Sequence, residues 1–155
     1  MLSDFCITVP AGKRIALVGP SGAGKSTVLD LLLRFYDPQS GAVKIDGQTI
    51  SDCTVSSVRL ASALVTQDPV LFDDTIRSNI MYGSEGASEE QVIAAAKAAV
   101  AHDFIMAFPK GYDTPVGEAG VMLSFGQLQR ISFSRAILLY APFLLLYLPT
   151  SSLFS

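Results

Sequence analysis

The chain has 155 residues, half of them hydrophobic, with a net charge of -3 and a pI of about 5.0. That length fits one domain with a real core, and the acidic balance argues against nucleic acid, whose binders carry a basic face. Two cysteines, Cys6 and Cys53, suggest neither a disulfide framework nor a zinc site and read as free thiols. The longest apolar run, AILLYAPFLLLYL (136–148), is too short to span a bilayer and is broken by Pro142. The opening MLSDFCITVP lacks the basic start and long apolar stretch of a signal peptide.

In chain order, FCITV (5–9) and RIALVG (14–19) read as strands around a Pro-Ala-Gly turn. Helix signals run from Lys25 to about Phe35 and end at Asp37-Pro38 and Ser40-Gly41. AVKID (42–46) is a short strand closed by Gly47, and SALVT (62–66) a buried one. Ser88 with Gln91 forms a capping-box pattern ahead of EEQVIAAAKAAVA, whose alanines suit close helix packing. HDFIMAF (102–108) reads as a second helix, stopped by Pro109 and Gly111. A loop, GYDTPVGEAG, leads to a third helix from about Gly126 to Leu139, and FLLLYL (143–148) is the last strand. Strands alternating with helices predict an α/β domain with a largely parallel sheet.

The chemistry concentrates in GPSGAGKST (19–27), which fits G-x-x-x-x-G-K-[ST] with Gly19, Gly24, Lys25 and Ser26. It follows a strand signal and opens a helix, the context the motif requires. Gly22 and Gly24 let the backbone curl so that successive N–H groups face inward as an anion nest, and the helix start adds its positive dipole end. Gly19, Ser21, Gly22, Ala23, Gly24, Lys25, Ser26 and Thr27 are therefore the expected triphosphate cradle. Lys25 would reach the β- and γ-phosphates, and the Ser26 hydroxyl would ligate magnesium.

Two further stretches narrow the choice. VTQDPVLFDDTIRSNIMYG (65–83) places a glutamine just after a buried strand, and LSFGQLQRISFSRAIL (123–138) places Ser and Gly at a helix start. With FPKGYDTPVGEAG (108–120) between them, the chain resembles, nearly end to end, the ATP-binding domains of ATP-binding cassette (ABC) transporters. The B subfamily of multidrug and peptide exporters is the nearest likeness. The resemblance implies a P-loop NTPase fold with a RecA-like core, about 1–83 and 137–155, and a helical subdomain, about 84–136, in a single partial domain incomplete at both ends. It implies ATP and magnesium as ligands, hydrolysis of the β–γ phosphoanhydride, a transmembrane domain as partner and a place on the cytoplasmic face of a membrane. It makes Gln67 the glutamine that touches magnesium or the attacking water. The segment from Asp68 to Asn79 becomes the surface that receives the transmembrane domain. Ser124, Gly126 and Gln127 become the signature that closes over ATP held by a second domain in a head-to-tail pair.

The resemblance also exposes departures. Phe125 stands where the family has a glycine. In the register of PTSSL (149–153), Tyr147 stands at the magnesium-ordering Asp, Leu148 at the general-base Glu and Phe154 at the Asp of the next loop. The adenine-stacking aromatic and the switch histidine would fall outside the chain, Phe5 reads as core, and His102 reads as a surface or capping residue. Three readings stay open: a hydrolysing exporter domain, a degenerate cassette that binds ATP as a regulatory half, and an inactive fragment. A GTPase or small-molecule kinase is disfavoured, since no N-K-x-D occurs and LSFGQ would be unexplained.

Overall fold

The structure, a computed structural model, describes residues 2–118 and 120–147. These residues divide into two compact units, one up to Arg59 and one from Leu60 to Tyr147.

In the first unit, α1 (Lys25–Leu32) follows the glycine-rich loop. Its end is a Schellman turn made without glycine. Arg34 takes a left-handed φ of 53°, the Phe35 N–H donates to the Asp30 carbonyl at 2.8 Å, and the Arg34 N–H to that of Leu31 at 3.2 Å. The Arg34 side chain stays occupied there. It pairs with Asp37 at 3.0 Å and donates to the carbonyls of Ile50 and Cys53 at 3.1 and 2.6 Å. Strand β1 (Lys44–Ile45) folds back on β2 (Gln48–Thr49). The two residues between them, Asp46 and Gly47, both have positive φ, at 49° and 81°, as an Asp-Gly turn of a tight hairpin does. A 3-10 turn (Ile50–Asp52) and α2 (Val55–Leu60) follow.

The expected strands at 5–9 and 14–19 are not formed; both segments run without strand structure. The alternation is present, but Phe5, Ile7 and Val9 are 45–48% exposed. A strand needs a hydrogen-bonded neighbour and a covered face, which an isolated pair of extended segments does not supply. Phe5 is accordingly not a core residue.

The second unit carries the best-packed core. β3 (Ser62–Val65) pairs in parallel with β6 (Phe143–Leu146), Ser62 opposite Phe143 and Val65 opposite Leu146. β4 (Asp74–Thr75) pairs antiparallel with β5 (Pro115–Val116). Helices α3 (Ile76–Met81), α4 (Glu89–Ala98), α5 (His102–Met106) and α6 (Phe125–Leu138) surround one apolar cluster. Ile76, Ile80, Val92, Ala96, Ile105 and Ile131 are fully buried in it. A smaller cluster joins α6 to the strand pair through Ala136, Ala63 and Val65. Arg77 on α3 holds Glu89 at 3.1 Å and Asp113 at 2.9 Å, and the Asp113 bond foremost keeps its guanidinium above its ordinary pKa. Among the described residues no helix is long and apolar enough to cross a membrane.

The capping box at α4 is made as expected: Ser88 Oγ accepts from the Gln91 N–H at 3.3 Å and Gln91 Oε1 from the Ser88 N–H at 2.8 Å. Ser88→Ala is expected to lower stability by about 1 kcal/mol, read as a shift of the urea midpoint at unchanged slope. Gly83, just past α3, passes so close to α6 that a Cβ there would collide with the Arg135 carbonyl. Gly83→Ala is therefore expected to destabilise by about 1–3 kcal/mol through forced backbone displacement, whereas Gly126→Ala, with open space around it, should be far milder in the same assay.

Candidate nucleotide site

The first unit holds the loop from Gly19 to Thr27. Gly22 and Gly24 have φ of 80° and 90°, the left-handed values that an L side chain resists. The Ala23 N–H donates to the Pro20 carbonyl at 3.2 Å, tightening the turn. Gly24 is the N-cap of α1, and no side chain caps that end. By contrast α3, α4 and α6 are capped by Thr75, Ser88 and Ser124. Glycine has no side chain to satisfy the first N–H groups of the helix, so their donors and the positive end of the dipole favour an anion. Lys25 folds back over the loop, donating Nζ to the carbonyls of Gly19 at 2.6 Å and Pro20 at 2.8 Å. The ammonium is thus held against the loop that a phosphate chain would occupy. Ser21, Ser26 and Thr27 are exposed beside it.

The second unit brings together two other predicted positions. Gln67 lies two residues beyond the end of β3 and is half-buried. Tyr147 directly follows β6 and extends its ladder, its N–H donating to the Val65 carbonyl at 2.9 Å. Parallel strands in this register deliver Gln67 and Tyr147 to the same edge of the pair. The ends of parallel strands are where α/β proteins place ligands. Tyr147 is 37% exposed. Leu148 and Phe154 lie outside the described residues.

The signature residues open α6. Ser124 is its N-cap, with Oγ accepting from the Gln127 N–H at 3.3 Å, and Gln127 Oε1 accepts from the Ser124 N–H at 2.8 Å. Ser124 and Gln127 thus form a second capping box. The S-x-x-Q spacing is the one that marks Ser88 and Gln91, so the signal was present in the sequence, overlaid by the motif. The box fixes the direction of the helix start and of its dipole. Phe125, the first helical residue, is 52% exposed, and the Gly126 α-carbon faces open space. The helix start is accordingly open to an approaching group at Gly126. His102 does not cap α5 but opens it, with Nδ1 at 2.9 Å from the Tyr112 hydroxyl.

Comparison with known proteins agrees on one family. The model described as ABC transporter matches residues 2–151. The mitochondrial iron-sulfur clusters transporter atm1 of Neurospora crassa is 53% identical over 153 residues, 99% of this chain and 21% of that protein. ATP-binding cassette sub-family B member 6 of Homo sapiens is 54% identical over 152 residues, 98% of this chain and 18% of that protein. A solved bacterial Atm1-family ABC exporter with ATP bound superposes with a TM-score of 0.84 at 54% identity, covering 89% of this chain and 24% of that chain. The chain therefore spans about a fifth to a quarter of the length of these proteins. A match across 2–151 of a chain with this mixed α/β fold settles the placement: the chain belongs to the ABC transporter family.

Proposed function

We propose that the chain is the ATP-binding domain of an exporter-type ABC transporter and that it holds ATP with little or no turnover. The observation that carries ATP binding is the uncapped start of α1 behind left-handed Gly22 and Gly24, with Lys25 drawn over the loop. In this reading Lys25 exchanges its two carbonyl contacts for β- and γ-phosphate oxygens, and the Ser26 hydroxyl faces magnesium. Among the described residues no group of three or more His, Cys, Asp and Glu is placed to hold a metal ion. Magnesium, which charge-neutralises the triphosphate when bound, would be met by the Ser26 hydroxyl beside the phosphate oxygens; Gln67 is the further contact that the family resemblance implies. The start of α6, with Ser124, Gly126 and Gln127, would face the γ-phosphate of a second domain paired head to tail. The partner on the membrane side would be a transmembrane domain.

Slow turnover rests on a separate observation: β6 leads directly into Tyr147, beside the strand that leads to Gln67, where the family resemblance expects an Asp. A tyrosine side chain lacks the carboxylate oxygens by which magnesium is usually held. The ATP-binding reading is tested by fluorescence titration with ATP, with magnesium and with chelator, beside Lys25→Ala. Saturable binding is expected. The variant should bind about tenfold or more weakly, the worth of a charge-assisted contact. Chelation should change the wild-type affinity little. Equal affinity in Lys25→Ala would contradict phosphate binding at this loop.

A further inference from the structure

The second unit contains a half-buried cation that neither the nucleotide site nor the family motif accounts for. Arg135 lies on α6 about three turns beyond Ser124. It donates Nε to the Asn79 carbonyl at 2.8 Å, Nη2 to Asn79 Oδ1 at 3.1 Å and Nη1 to the Val70 carbonyl at 3.4 Å. The rings of Phe72 and Tyr82, 4.4 Å apart, flank its guanidinium at 5.4 and 5.8 Å. Among the described residues no carboxylate forms an ion pair with it.

Asn79 is 1% exposed and uses its whole amide. Oδ1 accepts from the Phe72 N–H at 2.8 Å as well as from Arg135, and Nδ2 donates to the carbonyls of Phe72 at 3.0 Å and Thr75 at 2.9 Å. Two acceptor sites and two donors are all that an amide has. Arg135 and Asn79 together therefore grip the backbone at Val70, Phe72 and Thr75. That segment begins three residues after Gln67.

A cation held by carbonyls and rings alone is a poor stabiliser, since its desolvation is not balanced by an opposite charge. Burial correspondingly pulls the Arg135 pKa below its ordinary value. An apolar side chain would fill the space at lower cost but could not orient two backbone carbonyls and the Asn79 amide at once. The arrangement suits fixing direction rather than adding stability.

We propose that Arg135 and Asn79 are positioning residues that clamp the 70–75 segment to α6, so that a displacement near Gln67 or at the exposed face of that segment moves the helix carrying Ser124, Gly126 and Gln127. The nucleotide part of this inference rests on the ATP-binding reading above; the clamp itself does not.

The test is hydrogen exchange of the whole chain, followed in peptides covering 66–83 and 123–131, for wild type, Arg135→Lys, Asn79→Ala and the double variant. Without nucleotide, each single variant is expected to speed exchange at 70–75 about tenfold while β3 and α4 keep wild-type protection. The double variant should be no faster than the worse single, because the two residues act as one unit. With ATP, at a chain concentration where sedimentation shows monomers so that no second domain covers Ser124, the wild-type response should appear in both peptides; in Arg135→Lys it should stay in 66–83 and vanish from 123–131 at unchanged ATP affinity.

A uniform loss of protection that includes β3 and α4, additive effects in the double variant, or a surviving ATP response at 123–131 would each overturn the proposal. Should Arg135→Lys fail to fold, Asn79→Asp serves the same comparison, keeping the acceptor for Arg135 and the Phe72 N–H while losing the donors to Phe72 and Thr75. A wild type that binds no ATP counts against the nucleotide reading alone, and the nucleotide-free exchange then decides the clamp.

Discussion

Tyr147→Asp combined with Leu148→Glu is expected to raise phosphate release from ATP about 10²- to 10⁴-fold, the usual worth of a positioned general base. Tyr147 continues the ladder onto Val65, so it lies at the same end of the strand pair that leads to Gln67. By the family resemblance a carboxylate at that position supports magnesium, and a Glu at the next takes the proton of the attacking water. At 37% exposure a new carboxylate stays in reach of water, so the substitution should cost little folding stability. Tyr147→Asp alone should make ATP binding magnesium-dependent without restoring the rate. Phosphate release by the double variant no faster than wild type, in a sample that binds ATP, would show that something other than the missing acids limits turnover.

Ile131→Ala should lower stability by about 2–5 kcal/mol, more than either Ser88→Ala or Gly83→Ala. Ile131 is fully buried on α6, in the cluster shared with Ile76 and Ile80 of α3, Val92 of α4 and Ile105 of α5. α6 packs on both α3 and α4, so truncation leaves a cavity that no single helix shift closes. Ile131→Val removes one methyl and should cost about 1 kcal/mol. Domains of this size hold only about 5–15 kcal/mol, so the alanine variant should lose a large share of it. Urea unfolding measures both. A loss below that of Ile131→Val would mean that the cluster repacks around the gap.

Elements that carry their own local signals are legible in the residues. The Ser88 and Gln91 capping box, the start of α1 at Lys25 and the apolar strands at 62–65 and 143–146 all form where the residues indicate. The segments 5–9 and 14–19 show the limit of periodicity. Alternation states which face is apolar, not whether a neighbour covers it. α3 is hard to read because six residues, three of them polar at Arg77, Ser78 and Asn79, are too short to show a helical stripe. The hairpin turn is signalled by Asp46-Gly47, but a strand read as closing at Gly47 leaves its return partner at 48–49 unseen. Arg135 and Asn79 are illegible for a different reason: they meet across 56 positions of sequence, and only the packing of α3 on α6 brings them together. In the candidate site, the glycine-rich loop and the helix start behind it are readable because their residues are contiguous. The neighbourhood of Gln67 and Tyr147 depends on strand register, which only pairing fixes.

The proposed ATP binding at Gly19–Thr27 and the proposed lack of turnover are both tested on one sample of wild-type chain. Equilibrium binding of magnesium-ATP by calorimetric titration comes first, then phosphate release at saturating ATP. A binding-only domain gives a saturable isotherm and phosphate release indistinguishable from ATP in buffer. A flat isotherm from folded protein, or sustained phosphate release that Lys25→Ala abolishes, would refute it.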